Sequence, residues 1–361
     1  MPMPVSPDVW LDTIHREYLS EYIKSGGSTV KFISGDSPTL SSAQTRLHDL
    51  AESEGYLHVH LDAAKALPDG KKPDLHRIDR FFFAATAAVD WRGRTTAEAR
   101  AYLDSRGVVV PQGRALQDID GIAQDNGRTA TDLINQFQRE LVTGLIKDHG
   151  MAIEFRAAIS ALMRAQLLPD SMTPTTEDVL LEWFAGRTMP GAAAALKKIN
   201  IFERVTRANA RHMLASFCRW LPRAGHGGLI VTLDFRPYEH KKVPRGKRQA
   251  NTLQALEQAL AAGASKERLE ALLAEGAAEP AISYSDLAYM QMLAQLRRFI
   301  DEIDWFERFM LVVLTTPGFY EDTSARKYWN YDALQSRIGL EVHDAQRANP
   351  AAALVHLGGT T

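Results

Sequence analysis

Gly35 and Ser42 fall at the first and last positions of the phosphate-binding pattern G-x-x-x-x-G-K-[ST], in the stretch Gly35-Asp36-Ser37-Pro38-Thr39-Leu40-Ser41-Ser42. In a working loop of this kind backbone N–H groups cradle the phosphates, the lysine neutralises the β and γ oxygens, and the terminal hydroxyl ligates Mg²⁺. Here Leu40 stands where the second glycine would be and Ser41 where the lysine would be. Leucine has a Cβ that resists the positive φ glycine supplies, and serine brings no charge. Much later, Asp234 closes an apolar run at 229–233, the place of a metal-holding carboxylate. The next residue, where an acid would orient an attacking water, is Phe235, followed by Arg236. The bland alternatives are a plain strand-to-helix turn capped by Ser41 and Gln44, and an aspartate that only caps the turn after its strand.

Other residues invite weaker chemistry. His58 and His60 share a strand face, but no third ligand has recognisable spacing, so a packed or solvated pair is expected rather than a metal site. Lys241, Lys242, Arg245, Lys247 and Arg248 place five positive charges in eight positions with Pro244 and Gly246 and no acid. Such a run is either a solvated loop or a contact for the phosphate backbone of double-stranded DNA. Trp183, Trp220, Trp305 and Trp329 sit mostly at helical spacing and read as core. Cys218 lies in an apolar helical pattern and carries no nucleophile role.

The elements that must position these groups alternate. A helix is expected over 7–24, a strand over 29–33, a helix over 42–55 and a strand over 56–62, where Leu57, Val59 and Leu61 alternate with the histidines. That opening is a β-α-β unit of a parallel sheet. Residues 75–221 read as mostly helical, ending in one amphipathic helix over 200–221. A strand follows at 229–233, then the basic run and two short helices at 252–262 and 266–275, then a helix over 284–303. Strands at 309–314 and 352–357 complete the pattern.

The chain of 361 residues carries 42 Lys and Arg against 44 Asp and Glu, a formal net charge of −2, with 45% hydrophobic residues. These values exclude wholesale disorder and a uniformly basic coat, so any nucleic-acid surface must be local. A single cysteine, an opening MPMPVSPDVW with neither basic nor apolar leader character, and no apolar run of membrane-spanning length predict a cytoplasmic protein without a membrane role.

The segments LKKINIFERVTRANARHMLASFCRWLPRAGHGGLIVTLDF, LTTPGFYEDTSARKYWNYDALQSRI and NPAAALVHL, with GGSTVKFISGD and LHRIDR before them, resemble the ATP-binding domain family of BREX-type bacteriophage-defence systems, a branch of the AAA+ P-loop ATPases. The resemblance implies one α/β domain over 1–361: an AAA+-like P-loop core with a parallel sheet of about five strands. The chain is read with a mainly helical insertion at 90–220 and a basic loop plus helical hairpin at 239–280, and because it stops just after the last strand the lid usual in the family is expected to be absent. Carried onto this chain, the family pattern makes Gly35, Asp36, Leu40, Ser41 and Ser42 remnants of the phosphate loop, Asp234 the Walker B aspartate, and Thr315 or Thr316 the sensor-1 residue, with no catalytic residue retained. The ligand implied is ATP with Mg²⁺, if any nucleotide is held. The expected function is a pseudo-ATPase subunit that assembles with itself, with a P-loop paralogue, or with a helicase or other defence proteins, and touches DNA. The rival expectations are an ATPase whose site is completed by a neighbouring subunit, and a DNA-binding adaptor with no nucleotide link.

Overall fold

The computed structural model describes residues 4–67, 71–240, 245–277, 282–319, 326–327, 331–338 and 349–358, without side chains at 245–251, 267, 271 and 274–277. Ser6 opens the first helix, α1 (Pro7–Thr13), by accepting from Val9 N at 3.3 Å, and Pro7 costs nothing at a position whose N–H has no helical partner. A π-helical turn over Ile14–Leu19 extends it, so that Trp10, Ile14, Leu19 and Ile23 are all buried. Strand β1 (Ser28–Ser34), helix α2 (Ser37–Ser53) and strand β2 (Leu57–Asp62) follow.

Between β2 and the next strand run α3 (Ile78–Thr86), α4 (Trp91–Ser105), α5 (Ile119–Asp125), α6 (Ala130–Glu140), α7 (Ile153–Leu167), α8 (Pro174–Phe184), α9 (Ala192–Lys198) and α10 (Ala210–Trp220). They pack around aromatic rings: Trp91 stacks on Phe184 at 3.9 Å and on Trp220 at 5.6 Å. The Trp220 indole donates to Glu98 at 2.7 Å, and Arg223 pairs with the same carboxylate at 2.7 Å, which satisfies a charge that would otherwise be costly to bury. Strand β3 (Leu229–Asp234) then leads through the short α11 (Arg236–Glu239) to a hairpin of α12 (Arg245–Ala261) and α13 (Lys266–Ala277). Helix α14 (Asp286–Asp301), strand β4 (Phe309–Thr315), helix α15 (Asp332–Ile338) and strand β5 (Leu354–His356) complete the order.

The five strands form one parallel sheet in the order β2-β3-β4-β1-β5. All residues of β3 and β4 are buried, which suits central strands covered on both faces. On β4, Met310, Val312 and Leu314 join α1 and α2 in one core through Trp10, Leu40 and Leu47, while Phe309, Leu311 and Val313 face the larger core on the other side. The opening β-α-β unit is present, yet β1 and β2 are not neighbours. The two fully buried strands lie inside the sheet and β2, with His60 exposed, takes an edge.

Three boundaries differ from expectation. Helix α2 begins at Ser37, not near 42: Asp36 caps it by accepting from Thr39 N at 2.8 Å, and the buried stripe Leu40, Ala43, Leu47 and Ala51 requires the first turn to be helical already. The expected cap at Ser41 does not form. The helix over 200–221 is only Ala210–Trp220, because Asn200 takes a left-handed φ of 62° and Asn209 Oδ1 accepts from Thr206 N at 2.7 Å in a turn before it. The helix expected from 252 starts at Arg245, so Arg245, Lys247 and Arg248 lie in helical backbone rather than in a loop. The Ala- and Gln-rich sequence that follows has the propensity to carry it. Lys241 and Lys242 lie outside the described residues.

Candidate functional site at the carboxyl edge of the sheet

In a parallel sheet the strand ends converge on one edge, where ligands of open α/β folds bind. Here that edge gathers Ser34, Asp62, Asp234, Thr315 and His356, the last residues of the five strands. Ser34 Oγ lies 2.9 Å from His356 Nδ1, tying β1 to β5 at this end.

The expected phosphate loop is reduced to two residues. Between the last residue of β1 and the first of α2 stand only Gly35 and Asp36. Gly35 passes close to β5, since a Cβ there would meet Leu357 O at 3.2 Å. The Asp36 carboxylate occupies the helix N-terminus that would otherwise face an anion, and its bonds from Thr39 hold its pKa below the ordinary value. Leu40 is fully buried in the core, and Ser41 and Ser42 are exposed on the helix beyond its first turn. The remnant positions therefore do not converge on one cradle.

Asp234 is equally committed. It is 7% exposed, and Arg236 grips it with two bonds, Nε to Oδ1 at 2.9 Å and Nη2 to Oδ2 at 2.6 Å. The Arg236 N–H adds a third bond to Oδ1 at 3.1 Å, and Nη1 donates to Ser37 Oγ at 3.1 Å, linking β3 to the start of α2. Asp234 thus caps the turn after its strand. Phe235 does not face the edge at all; it is fully buried and stacks on Tyr238 at 5.6 Å.

Of the two threonines, Thr315 is buried and donates to Ile33 O at 3.0 Å, while Thr316 meets Glu239. Glu239 accepts from Thr316 N at 2.9 Å and from Thr316 Oγ1. Burial pushes its carboxyl up to about 8, aided by the nearby Asp234 charge and opposed by the Thr316 bonds and by Arg236. Glu239 and the clamp made by Arg236 were not singled out in the sequence. The signal available was local: a cation two positions and an acid five positions after the strand-end aspartate. As arranged, these groups do not fit Mg²⁺ with ATP, because the carboxylate that would hold the metal is paired and the helix terminus that would hold phosphate is capped.

Among the described residues His58 and His60 meet a histidine and a threonine. His58 Nδ1 lies 3.0 Å from His48 Nδ1, and Thr232 Oγ1 lies within 3.2 Å of His58 and 2.8 Å of His60. Burial, then the neighbouring His48, pushes the His58 imidazole down to about 3. Among the described residues no group of three His, Cys, Asp or Glu is placed to hold a metal. Cys218 is fully buried and burial raises its thiol pKa. Trp183 and Trp220 are core, whereas Trp305 is 61% exposed, contrary to expectation, because it sits in a 3-10 turn beyond α14; Trp329 lies outside the described residues. The side chains of Arg245, Lys247 and Arg248 are likewise outside the description. Among the described residues no helix is long and apolar enough to cross a membrane.

A five-stranded parallel sheet flanked by helices, with polar strand ends collected on one edge, defines an α/β protein and is consistent with a P-loop-like core. The model of the family described as BREX system ATP-binding protein BrxC/D matches residues 116–274, a span that holds Asp234, Arg236, Glu239 and the basic run but not Gly35. That match covers less than half of the chain and says what this stretch is similar to. No curated protein and no solved structure is similar enough to match.

Proposed function

We propose that this chain is a degenerate P-loop subunit, a pseudo-ATPase that serves its defence complex by assembly rather than by turnover. The observation that carries the reading is the double bond of Arg236 to Asp234. A metal or a nucleotide would have to displace a guanidinium already matched to its carboxylate in a partly dry setting, where a bidentate pair is strong. The Asp36 cap and buried Leu40 support it from the other side of the edge. In this reading the chain associates with itself or with a P-loop relative and contacts double-stranded DNA through Lys241, Lys242, Arg245, Lys247 and Arg248.

The test is turnover and binding by the purified chain. The expected result is no ATP hydrolysis and no Mg²⁺-dependent thermal shift with ATP. Hydrolysis that Asp234→Ala abolishes overturns the reading. A second reading, an ATPase completed by a neighbouring subunit, is favoured by Glu239, an acid held at the sheet edge with a raised pKa. Turnover that appears only on mixing with a co-purified subunit and disappears with Glu239→Gln selects it.

A further inference from the structure

A polar cavity lies away from the sheet edge, among the helices between β2 and β3. It has a volume of about 330 Å³, within the range of small-molecule sites. Helix α7 supplies Arg156, Ser160 and Arg164 at i, i+4 and i+8, a spacing that lines them along one helical face. Ala157 and Ala161, one position on from Arg156 and Ser160, leave that face uncrowded. Ser171 comes from the turn after α7, and Lys198 and Asn200 come from the end of α9, where the left-handed φ of Asn200 redirects the chain. Among the described residues no carboxylate lines the cavity.

Arg164 and Lys198 are exposed, but Arg156 is not. Arg156 is 8% exposed, its Nη1 donates to the Ile146 carbonyl, and its Nε has no hydrogen-bond partner. Asp148 feels its charge but pairs with Arg219 at 3.0 Å. Among the described residues no carboxylate forms an ion pair with Arg156, Arg164 or Lys198. Three cations facing one small cavity repel one another, and a buried guanidinium without an anion is costly. An anion in the cavity answers both. The rest of the wall is apolar: Ile153 and Ile146 are 66% and 38% exposed, and Ile199 lines the same space.

We infer that this cavity binds a phosphorylated small molecule of nucleotide size, its phosphate held by Arg156, Arg164 and Lys198 with the Ser160 and Ser171 hydroxyls, and its organic part laid on the isoleucines. The inference is independent of the sheet-edge reading, because none of the described residues that line the cavity belongs to that edge.

The full-length chain is titrated with AMP, with orthophosphate and with a short DNA duplex, in EDTA, by calorimetry. AMP is expected to bind at least tenfold more tightly than orthophosphate, and Arg164→Ala and Lys198→Ala are each expected to weaken AMP about tenfold, as loss of a charge-assisted bond does. Both side chains are exposed, and circular dichroism verifies that the variants remain folded. Absence of AMP binding at millimolar concentration overturns the inference, as does orthophosphate binding as tightly as AMP. AMP binding that survives both substitutions places the nucleotide outside this cavity and also overturns it. A duplex that binds through Arg164 and Lys198 while AMP does not replaces the cavity with a DNA surface.

Discussion

Arg236 bonds both carboxylate oxygens of Asp234 from only two residues along the chain, so the strand-end acid and the nearest cation of the sheet edge cancel each other. The Asp234 bond also raises the guanidinium pKa above its ordinary value, so Arg236 stays charged. Arg236→Ala leaves a carboxylate that is 7% exposed without its counterion and is expected to cost about 2–4 kcal/mol in urea unfolding. The double variant Asp234→Ala/Arg236→Ala is expected to cost less than the sum of the singles by about 1 kcal/mol or more.

Restoring the phosphate-loop sequence is expected to fail. Leu40→Gly/Ser41→Lys supplies the glycine and lysine of the pattern, but both positions are helical and Leu40 is fully buried. Loss of that side chain together with a glycine inside the helix predicts destabilisation by about 3–5 kcal/mol and no gain of ATP affinity, read by thermal unfolding with and without Mg²⁺ and ATP.

Glu239 gives stability a pH dependence. Its carboxyl is raised to about 8 in the fold, against about 4.3 in an unfolded chain, so between these values the folded state binds the extra proton. Stability contributed this way is present at low pH and falls as pH rises from about 4.5 to 8, by up to about 1.4 kcal/mol per unit. Denaturation midpoints across that window are expected to lose this downward component in Glu239→Gln.

The basic run is tested through salt. Replacing Lys241, Lys242, Arg245, Lys247 and Arg248 by alanine is expected to weaken binding to any duplex alike. It should also flatten the slope of log affinity against log salt by about 0.9 for each phosphate that is no longer neutralised. Unchanged affinity and slope return the run to a solvated surface.

Cys218 is fully buried with a raised thiol pKa, so a disulfide reagent such as DTNB is expected to leave it unmodified in the native chain and to titrate one thiol in denaturant.

The sheet was legible because its strands are short apolar runs ended by Gly, Asp or Thr. All five expected strands are present, with ends shifted by a residue or two. The strand order was not legible: nothing local to β1 and β2 says that two strands arriving much later will separate them. The site was half legible. Asp234 and Thr316 do stand at one edge, but a motif template assumed a loop between Gly35 and Ser42 and so overlooked the buried stripe through Leu40 that makes most of that stretch helix. Arg236 and Glu239 went unread because no template assigns those spacings a role, and only burial reveals that they matter. The cavity beside α7 draws on residues from four separate segments, and its significance lies in the absence of acids among the described residues around it, which no single segment displays.

The central place of β4 sets an order of events at the ribosome. β4 lies between β1 and β3, yet its first residue, Phe309, is synthesised 75 positions after Asp234, the last of β3 (309 − 234). At about 5–20 residues per second this is a wait of roughly 4–15 s during which β1 and β3 exist without the strand that joins them. Through that interval the nascent chain presents two apolar strands with unpaired edges, a form open to mispairing with other chains. The helices between β2 and β3 are already made by then and can close around Trp91 and Trp220. Biogenesis therefore divides into an early helical body and a late sheet closure, and the second step is where a chaperone would be needed.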